Sequence, residues 1–132
     1  MEKEIFKIQK DIIRARALKE MAEDRFLDIR KEIKTYKIIE EYYEIIKELI
    51  TAIMYKDGFK TLGHIELIIF LENNYSKRFI REEFRLIDEL RKMRHNIVYY
   101  GEKVDILFLK NKEERLNTII NKLNDILDKD LN

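Results

Sequence analysis

The chain has 132 residues, 45% of them hydrophobic and 40% charged, and its 27 basic and 26 acidic side chains leave a formal net charge of +1. This balance excludes a disordered chain and predicts one domain of amphipathic helices, and the near-neutral charge excludes a molecule that attracts nucleic acid over its whole surface. There is no cysteine, no apolar run near the roughly 20 residues of a membrane-spanning helix and no secretory signal pattern, so we expect a cytoplasmic protein without disulfides, thiolate chemistry or a membrane segment.

Five helices joined by short connections are predicted, because the chain has no proline, only three glycines and no alternating pattern that would indicate a strand. The first helix is expected at about Lys3–Lys31, with a buried stripe that starts at Ile5. The second is expected to begin with Thr35 as its N-cap and to end at Gly58, because glycine accepts the left-handed cap conformation without strain.

The third helix is short, at about Leu62–Asn73, and is apolar almost all round, so we expect it to be buried on most sides. Ser76 is the expected N-cap of a long fourth helix that stops at Gly101. The last helix is expected to begin with an apolar cluster that starts at Val104, and to kink or restart near Asn111.

Long helices with short connections favour antiparallel neighbours. The predicted fold class is therefore all-α, an up-and-down helical bundle of four long helices plus one short helix. No internal repeat, low-complexity tract or linker divides the chain, so residues 1–132 are expected to form a single helical domain.

The two histidines limit the metal chemistry that such a bundle can perform. Ferritin-like bundles hold metals with Glu-x-x-His pairs, but Thr61 and Lys92 stand three residues before His64 and His95. We therefore expect no metal site and no cofactor. For His64 the residues alone favour a structural role at the start of the third helix, with a role at a site as the alternative.

One arginine of the fourth helix lies where an apolar side chain is expected. At about 3.6 residues per turn, Arg94 projects from the middle of the apolar stripe, with His95 and Tyr99 one turn apart at its edge. A guanidinium keeps its charge in a protein, so on a buried face it needs an acidic partner or a bound anion. The residues that form the stripe are Ile80, Phe84, Ile87, Leu90, Met93, Ile97 and Val98.

The end of the fourth helix is locally cationic, because no acidic residue lies between Arg91 and Gly101. Arg91, Arg94 and His95 therefore form a cluster that suits a phosphate. The alternative is that Arg94 pairs within one chain and only stabilises packing. The candidate acids for that pairing are Glu40, Glu41 and Glu44.

Two tyrosine pairs have side chains that can stack on bases. For Tyr42 and Tyr43 a core or interface position is the favoured interpretation, because buried tyrosines usually turn the hydroxyl toward a polar edge. For Tyr99 and Tyr100, which follow the cationic cluster, both interpretations stay open.

The segment Leu90–Gly101, LRKMRHNIVYYG, closely resembles the signature of HEPN domains (higher eukaryotes and prokaryotes nucleotide-binding). That signature has an arginine, a polar residue, three further residues and a histidine near the end of a long helix, often followed by glycine. The segment Lys60–Leu67 resembles the threonine-histidine start of the family's short helix, which follows a tyrosine-rich second helix. The order and lengths of the predicted helices extend the resemblance over nearly the whole chain.

The resemblance implies an HEPN-like bundle that forms a homodimer and brings two copies of the motif into one cleft. Many HEPN domains are metal-independent RNA endonucleases, often prokaryotic toxins; others accompany a nucleotidyltransferase or bind nucleotides without cutting. RNA, a nucleotide and a nucleotidyltransferase-type antitoxin are therefore the implied partners. A two-fold interface also presents the same patch twice, which independently gives Arg94 a protected polar cleft.

Compared position by position with this signature, Arg94 takes the arginine position, His95 takes the polar position, and Tyr99 stands where the family has its histidine. The catalytic candidates are therefore Arg94, His95 and Tyr99. The candidates for binding nucleic acid or phosphate are Arg91, Asn96, Tyr100 and His64.

The tyrosine at position 99 is the main departure from the family pattern. A tyrosine with a pKa near ~10 is a poor base at neutral pH. Three alternatives follow, of which binding without cleavage is favoured. In the second, His95 supplies the imidazole from a shifted position; in the third, Tyr99 acts only as an acid or hydrogen-bond donor. A purely structural helical dimer is a separate hypothesis.

Overall fold

The computed structural model describes residues 4–131. Over this range the chain forms five helices and one small two-stranded sheet. The elements are β1 (Ile5–Lys7), α1 (Ile12–Ile29), α2 (Thr35–Asp57), β2 (Phe59–Thr61), α3 (His64–Tyr75), α4 (Arg81–Tyr100) and α5 (Leu107–Leu131). The mostly helical fold agrees with the expected class, and the sheet corrects the expectation that no strand forms.

The sheet joins the start of the chain to the segment after α2. β1 and β2 are antiparallel, with Ile5 opposite Thr61 and Lys7 opposite Phe59. Beyond the sheet, the Ile8 N–H donates to the carbonyl of Gly58 at 2.8 Å. Strands this short do not show an alternating pattern, and their partners lie far apart in the sequence, so local periodicity missed them.

The first helix begins at Ile12, well after the expected start at Lys3, which lies outside the described residues. Asp11 is its N-cap, and the Asp11 carboxylate accepts the Arg14 N–H at 2.9 Å. The spacing of Ile5, Ile8 and Ile12 continues the helical period, which explains why the sequence analysis extended the helix into the strand.

The second helix is the centre of the molecule, because it contacts each of the other four helices. Thr35 is its first residue rather than its N-cap, and no side chain caps this end. Gly58 ends it in the left-handed conformation, as predicted, and a Cβ there would lie 2.9 Å from the Ile8 carbonyl oxygen. Its buried hydrophobic residues are Ile39, Tyr42, Tyr43, Ile45, Ile46, Leu49, Ile50, Ala52, Ile53 and Met54.

The third helix is buried on one side only, which corrects the expectation of burial on most sides. It packs against α2 and α4, and its inner residues include Leu67 and Leu71. On the outer side, Leu62 just before the helix is 80% exposed, and Ile65 and Ile69 are 50% and 37% exposed. An apolar composition alone does not reveal how many neighbours a helix has.

The sequence predicted Ser76 as the N-cap of the fourth helix, but α4 begins only at Arg81. Ser76 instead follows the last residue of α3. The cap is the carboxylate of Glu83, which is fully buried and accepts the Ile80 N–H at 2.9 Å. Lys122 of α5 donates to the same carboxylate at 2.6 Å. A glutamate at this position therefore both starts α4 and joins it to α5.

The end of α4 agrees with the sequence prediction, whereas the predicted kink in α5 is absent. Gly101 ends α4 with a φ of 62°, as predicted. The last helix runs without a break from Leu107 to Leu131, so the kink expected near Asn111 does not occur. Among residues 4–131, no helix is long and apolar enough to cross a membrane.

Candidate functional site

A cavity of about 160 Å³ opens where the C-terminal half of α4 faces the start of α3 and the middle of α2. Five of the seven proposed site residues line this cavity, and they come from α3 and α4. The sixth lining residue, Tyr43 of α2, was not among the proposed site residues. Asn96 and Tyr100 are the two candidates that do not line it. The lining residues are Tyr43, His64, Arg91, Arg94, His95 and Tyr99.

The Arg94 side chain is neither in bulk solvent nor sealed inside the core. Arg94 lies between the buried residues Leu90 and Ile97 on α4, and its side chain is 27% exposed. Its Nη2 is 3.4 Å from Oε1 of Glu44, so the internal acid that the sequence allowed for is present. The guanidinium carbon also lies 5.8 Å from the ring centre of Tyr43.

The two arginines that line the cavity each pair with a carboxylate that is also shared with a lysine. Glu44 is shared with Lys47, whose Nζ lies 2.7 Å from Oε2. Asp88 is shared in the same way, because its Oδ1 lies 2.9 Å from Nε of Arg91 and its Oδ2 lies 3.3 Å from Nζ of Lys92. Two carboxylates are therefore shared among four cationic groups, and of these six groups only the guanidinium groups of Arg91 and Arg94 line the cavity.

Tyr43 forms the wall between the arginine and the histidine of α3. Its side chain is only 3% exposed, its hydroxyl oxygen lies 2.5 Å from Nδ1 of His64, and the two rings stack at 5.7 Å with an angle of 16°. Burial raises the pKa of the Tyr43 hydroxyl well above its ordinary value, although Arg91 and Arg94 act in the opposite direction. The favoured core position of Tyr43 is thus correct, but no local pattern indicates that this core residue also borders a cavity.

The start of α3 holds His64 in place through the small sheet. The Thr61 hydroxyl donates to the carbonyl of Glu4 at 2.9 Å and accepts the Gly63 N–H at 3.2 Å. A Cβ on Gly63 would lie 1.9 Å from Oε1 of Glu66, so the largely buried Glu66 carboxylate fills the space beside the glycine. This turn therefore fixes the position at which His64 enters the helix.

Two aromatic rings of α4 line the cavity, and a third lies beside them. His95 and Tyr99, one turn apart, have ring centres 4.6 Å apart, and the ring centre of Tyr100, which does not line the cavity, is 6.0 Å from that of His95. Tyr99 is 65% exposed and Tyr100 is 75% exposed. Asn96 contributes its main-chain carbonyl to the end of the helix, where it accepts the Glu102 N–H at 3.3 Å.

A larger groove of about 660 Å³ runs along α3 and α4, next to the cavity. Its apolar surface includes Ile65 and Ile69. Unlike the cavity, the groove has charged residues of both signs. They are Glu72, Arg81, Arg85 and Asp88. No group of three or more histidine or acidic side chains within residues 4–131 is arranged to hold a metal ion.

Comparisons of the chain with protein-family models, with curated proteins and with solved structures each gave no match. The HEPN resemblance therefore stays a prediction from the residues.

Proposed function

We propose that the cavity binds a phosphate group of RNA, with Arg91 and Arg94 as its main anion-binding residues. The observation that carries this proposal is the convergence of two guanidinium groups and two imidazoles on one cavity that has no acidic residue among its described lining residues. Guanidinium groups bind phosphate through paired N–H donors in a fixed planar geometry, which suits this arrangement.

The ion pairs within the chain do not use all the N–H donors of either guanidinium group, so the others remain for a ligand. Arg94 reaches Glu44 with Nη2 alone, at the long distance of 3.4 Å, and Arg91 reaches Asp88 with Nε. A guanidinium has five N–H donors. These contacts are therefore compatible with positioning of the two side chains for an external anion.

The exposed rings support RNA rather than a free inorganic anion as the ligand. His95, Tyr99 and Tyr100 present aromatic surface at the edge of the cavity. Proteins recognise single-stranded RNA by stacking unpaired bases on such rings while basic side chains bind the backbone. The resemblance to HEPN domains supports the same ligand class.

Metal-independent RNA cleavage is a second candidate, favoured by the two imidazoles in the cavity. In such a reaction the 2′-hydroxyl loses its proton and attacks the adjacent phosphorus, and the 5′-oxygen leaves with a proton. Arg94 would stabilise the charge that develops on the phosphate, and an imidazole would move the proton. We place binding first because Tyr99 is a poor base.

The experiment uses a labelled single-stranded RNA in buffer that contains a chelator. We expect the wild-type chain to bind it, and Arg94→Ala to weaken binding by about ten- to a hundredfold, the range for a lost hydrogen bond to a charged group. Arg30→Ala is the matched control, because Arg30 is exposed at the turn between α1 and α2. Equal binding by Arg94→Ala and Arg30→Ala would refute the proposal, and cleavage that Arg94→Ala abolishes would establish the second candidate.

We also propose that the chain acts as a homodimer through the outer faces of α3 and α4. Leu62, Ile65 and Ile69 give this face exposed aliphatic surface. The charged residues of the adjacent groove are of both signs, so two copies related by a two-fold axis can pair acid with base across it. Because the groove adjoins the cavity, this arrangement would place two cavities near each other.

A further inference from the structure

One carboxylate of α2, that of Glu44, pairs with the arginine that the proposed function assigns to the phosphate. Its Oε1 lies 3.4 Å from Nη2 of Arg94, and the Glu44 side chain is 17% exposed. Arg94 lines the cavity and Glu44 does not. The guanidinium of Arg94 therefore serves two anions, a carboxylate of its own chain and a phosphate that enters the cavity.

The contact with Glu44 constrains the orientation of the Arg94 side chain only weakly. A hydrogen bond between a guanidinium and a carboxylate is ordinarily about 2.7–2.9 Å long. Glu44 is reached by one nitrogen, at 3.4 Å. The neighbouring pair shows the difference, because Nε of Arg91 donates to Asp88 at 2.9 Å. Asp88 thus holds its arginine more firmly than Glu44 does.

Lys47 gives Glu44 a second and closer partner. Its Nζ lies 2.7 Å from Oε2 of Glu44, one turn along α2. Glu44 therefore stays paired when Arg94 turns to another anion, so release of the guanidinium does not leave an unpaired carboxylate in a largely buried position. While it contacts Arg94, however, the same carboxylate places a negative charge beside the guanidinium, and this charge opposes the approach of a phosphate.

We propose that Glu44 is an internal counter-ion that competes with the ligand for Arg94 and so limits the affinity of the cavity for phosphate. Lys47 moderates the competition, because it holds the carboxylate when the guanidinium leaves. The identity of the ligand rests on the proposed function. Competition differs from a positioning role in the sign of its effect, since loss of a competitor tightens anion binding and loss of an orienting partner weakens it.

Glu44→Gln separates these two roles, because it removes the charge and keeps the length of the side chain. With a labelled single-stranded RNA, we expect this variant to bind about three- to tenfold more tightly than the wild type, the size of a partly screened interaction between two unit charges. Glu40→Gln is the matched control: it makes the same change one turn earlier on α2, beside a different cavity, and should stay within twofold. Unchanged or weaker binding by Glu44→Gln, or equal tightening by Glu40→Gln, would overturn the proposal.

A double-mutant cycle tests the part played by Lys47. Lys47→Met removes the closer partner of Glu44, so we expect it to weaken RNA binding about three- to tenfold. In the Glu44→Gln background the same change should weaken binding less than twofold, because the competing carboxylate is gone. Equal effects in the two backgrounds would overturn the role of Lys47. The two single variants shift the affinity in opposite directions, so loss of folding does not explain both.

Inorganic phosphate, used as a second probe, separates this inference from the proposed function. A phosphate titration followed by NMR of the Arg94 side-chain N–H groups measures anion binding at Arg94 without RNA. If phosphate binds Glu44→Gln more tightly than the wild type but RNA binds neither, the RNA proposal fails and the competition stands. If RNA binds and Glu44→Gln does not tighten it, the competition fails and the RNA proposal stands. If neither chain binds either anion, both fail.

Discussion

Arg94 occupies a position that the spacing of its helix assigns to an apolar side chain. Leu90 and Ile97, one turn to either side, are buried, yet the guanidinium lies beside a cavity and has only a long contact with Glu44. The sequence pattern singled out this residue because a charge in an apolar stripe is a local signal. The neighbours that face it come from other helices, and so the pattern could not identify them.

The stability of an Arg94 variant distinguishes a binding residue from a structural one. We expect Arg94→Met to change the free energy of unfolding by less than about 1 kcal/mol, because Glu44 keeps Lys47 as a partner and methionine can pack between Leu90 and Ile97. Denaturation in urea, followed by circular dichroism, measures this change. A loss above about 3 kcal/mol, typical when a buried ion pair loses one partner, would favour the purely structural hypothesis.

The connection from β2 to α3 is the segment whose structure was predicted least accurately from the sequence. The Thr61 hydroxyl donates to the carbonyl of Glu4, just before β1, and accepts the N–H of Gly63, just before α3. The start of α3 at His64 therefore depends on a partner far away in the sequence, while the predicted start at Leu62 used only local apolar spacing. The same reason explains the missed sheet and the late start of α1.

A substitution in this connection tests whether it positions the site. We expect Gly63→Ala to lower the free energy of unfolding by about 1–3 kcal/mol, because the added Cβ would overlap the carboxylate of Glu66. The double variant Gly63→Ala with Glu66→Ala removes the overlap, so its loss should be smaller than the sum of the two single losses. Additive losses in thermal denaturation would show that this contact does not govern the turn.

The apolar residues of two helices, α2 and α3, differ in how far they are buried. The central position of α2 was predicted correctly, because its broad apolar stripe indicates neighbours on several sides. Burial of α3 was predicted for the same reason, but Ile65 and Ile69 are exposed. Composition shows that a surface is apolar, and it does not show whether the same chain or a second copy covers that surface.

The homodimer proposal predicts a mass in solution of twice the 16.2 kDa of one chain. Replacing Ile65 and Ile69 together by Glu should yield monomers, because charges would be buried in an apolar interface. Ile33→Glu is the control, since Ile33 is 89% exposed in the turn between α1 and α2. Sedimentation equilibrium measures the mass, and a monomeric wild-type chain at micromolar concentration would contradict the prediction.

If Arg94 holds a phosphate of RNA, the salt dependence of RNA affinity changes when its guanidinium is removed. Fluorescence anisotropy with a single-stranded RNA, repeated over a series of salt concentrations, gives the affinity and its slope for the wild type and for Arg94→Ala. We expect weaker binding by the variant and a slope smaller by about 0.7, the value for one lost contact with a single-stranded backbone. Equal affinities with equal slopes would contradict it.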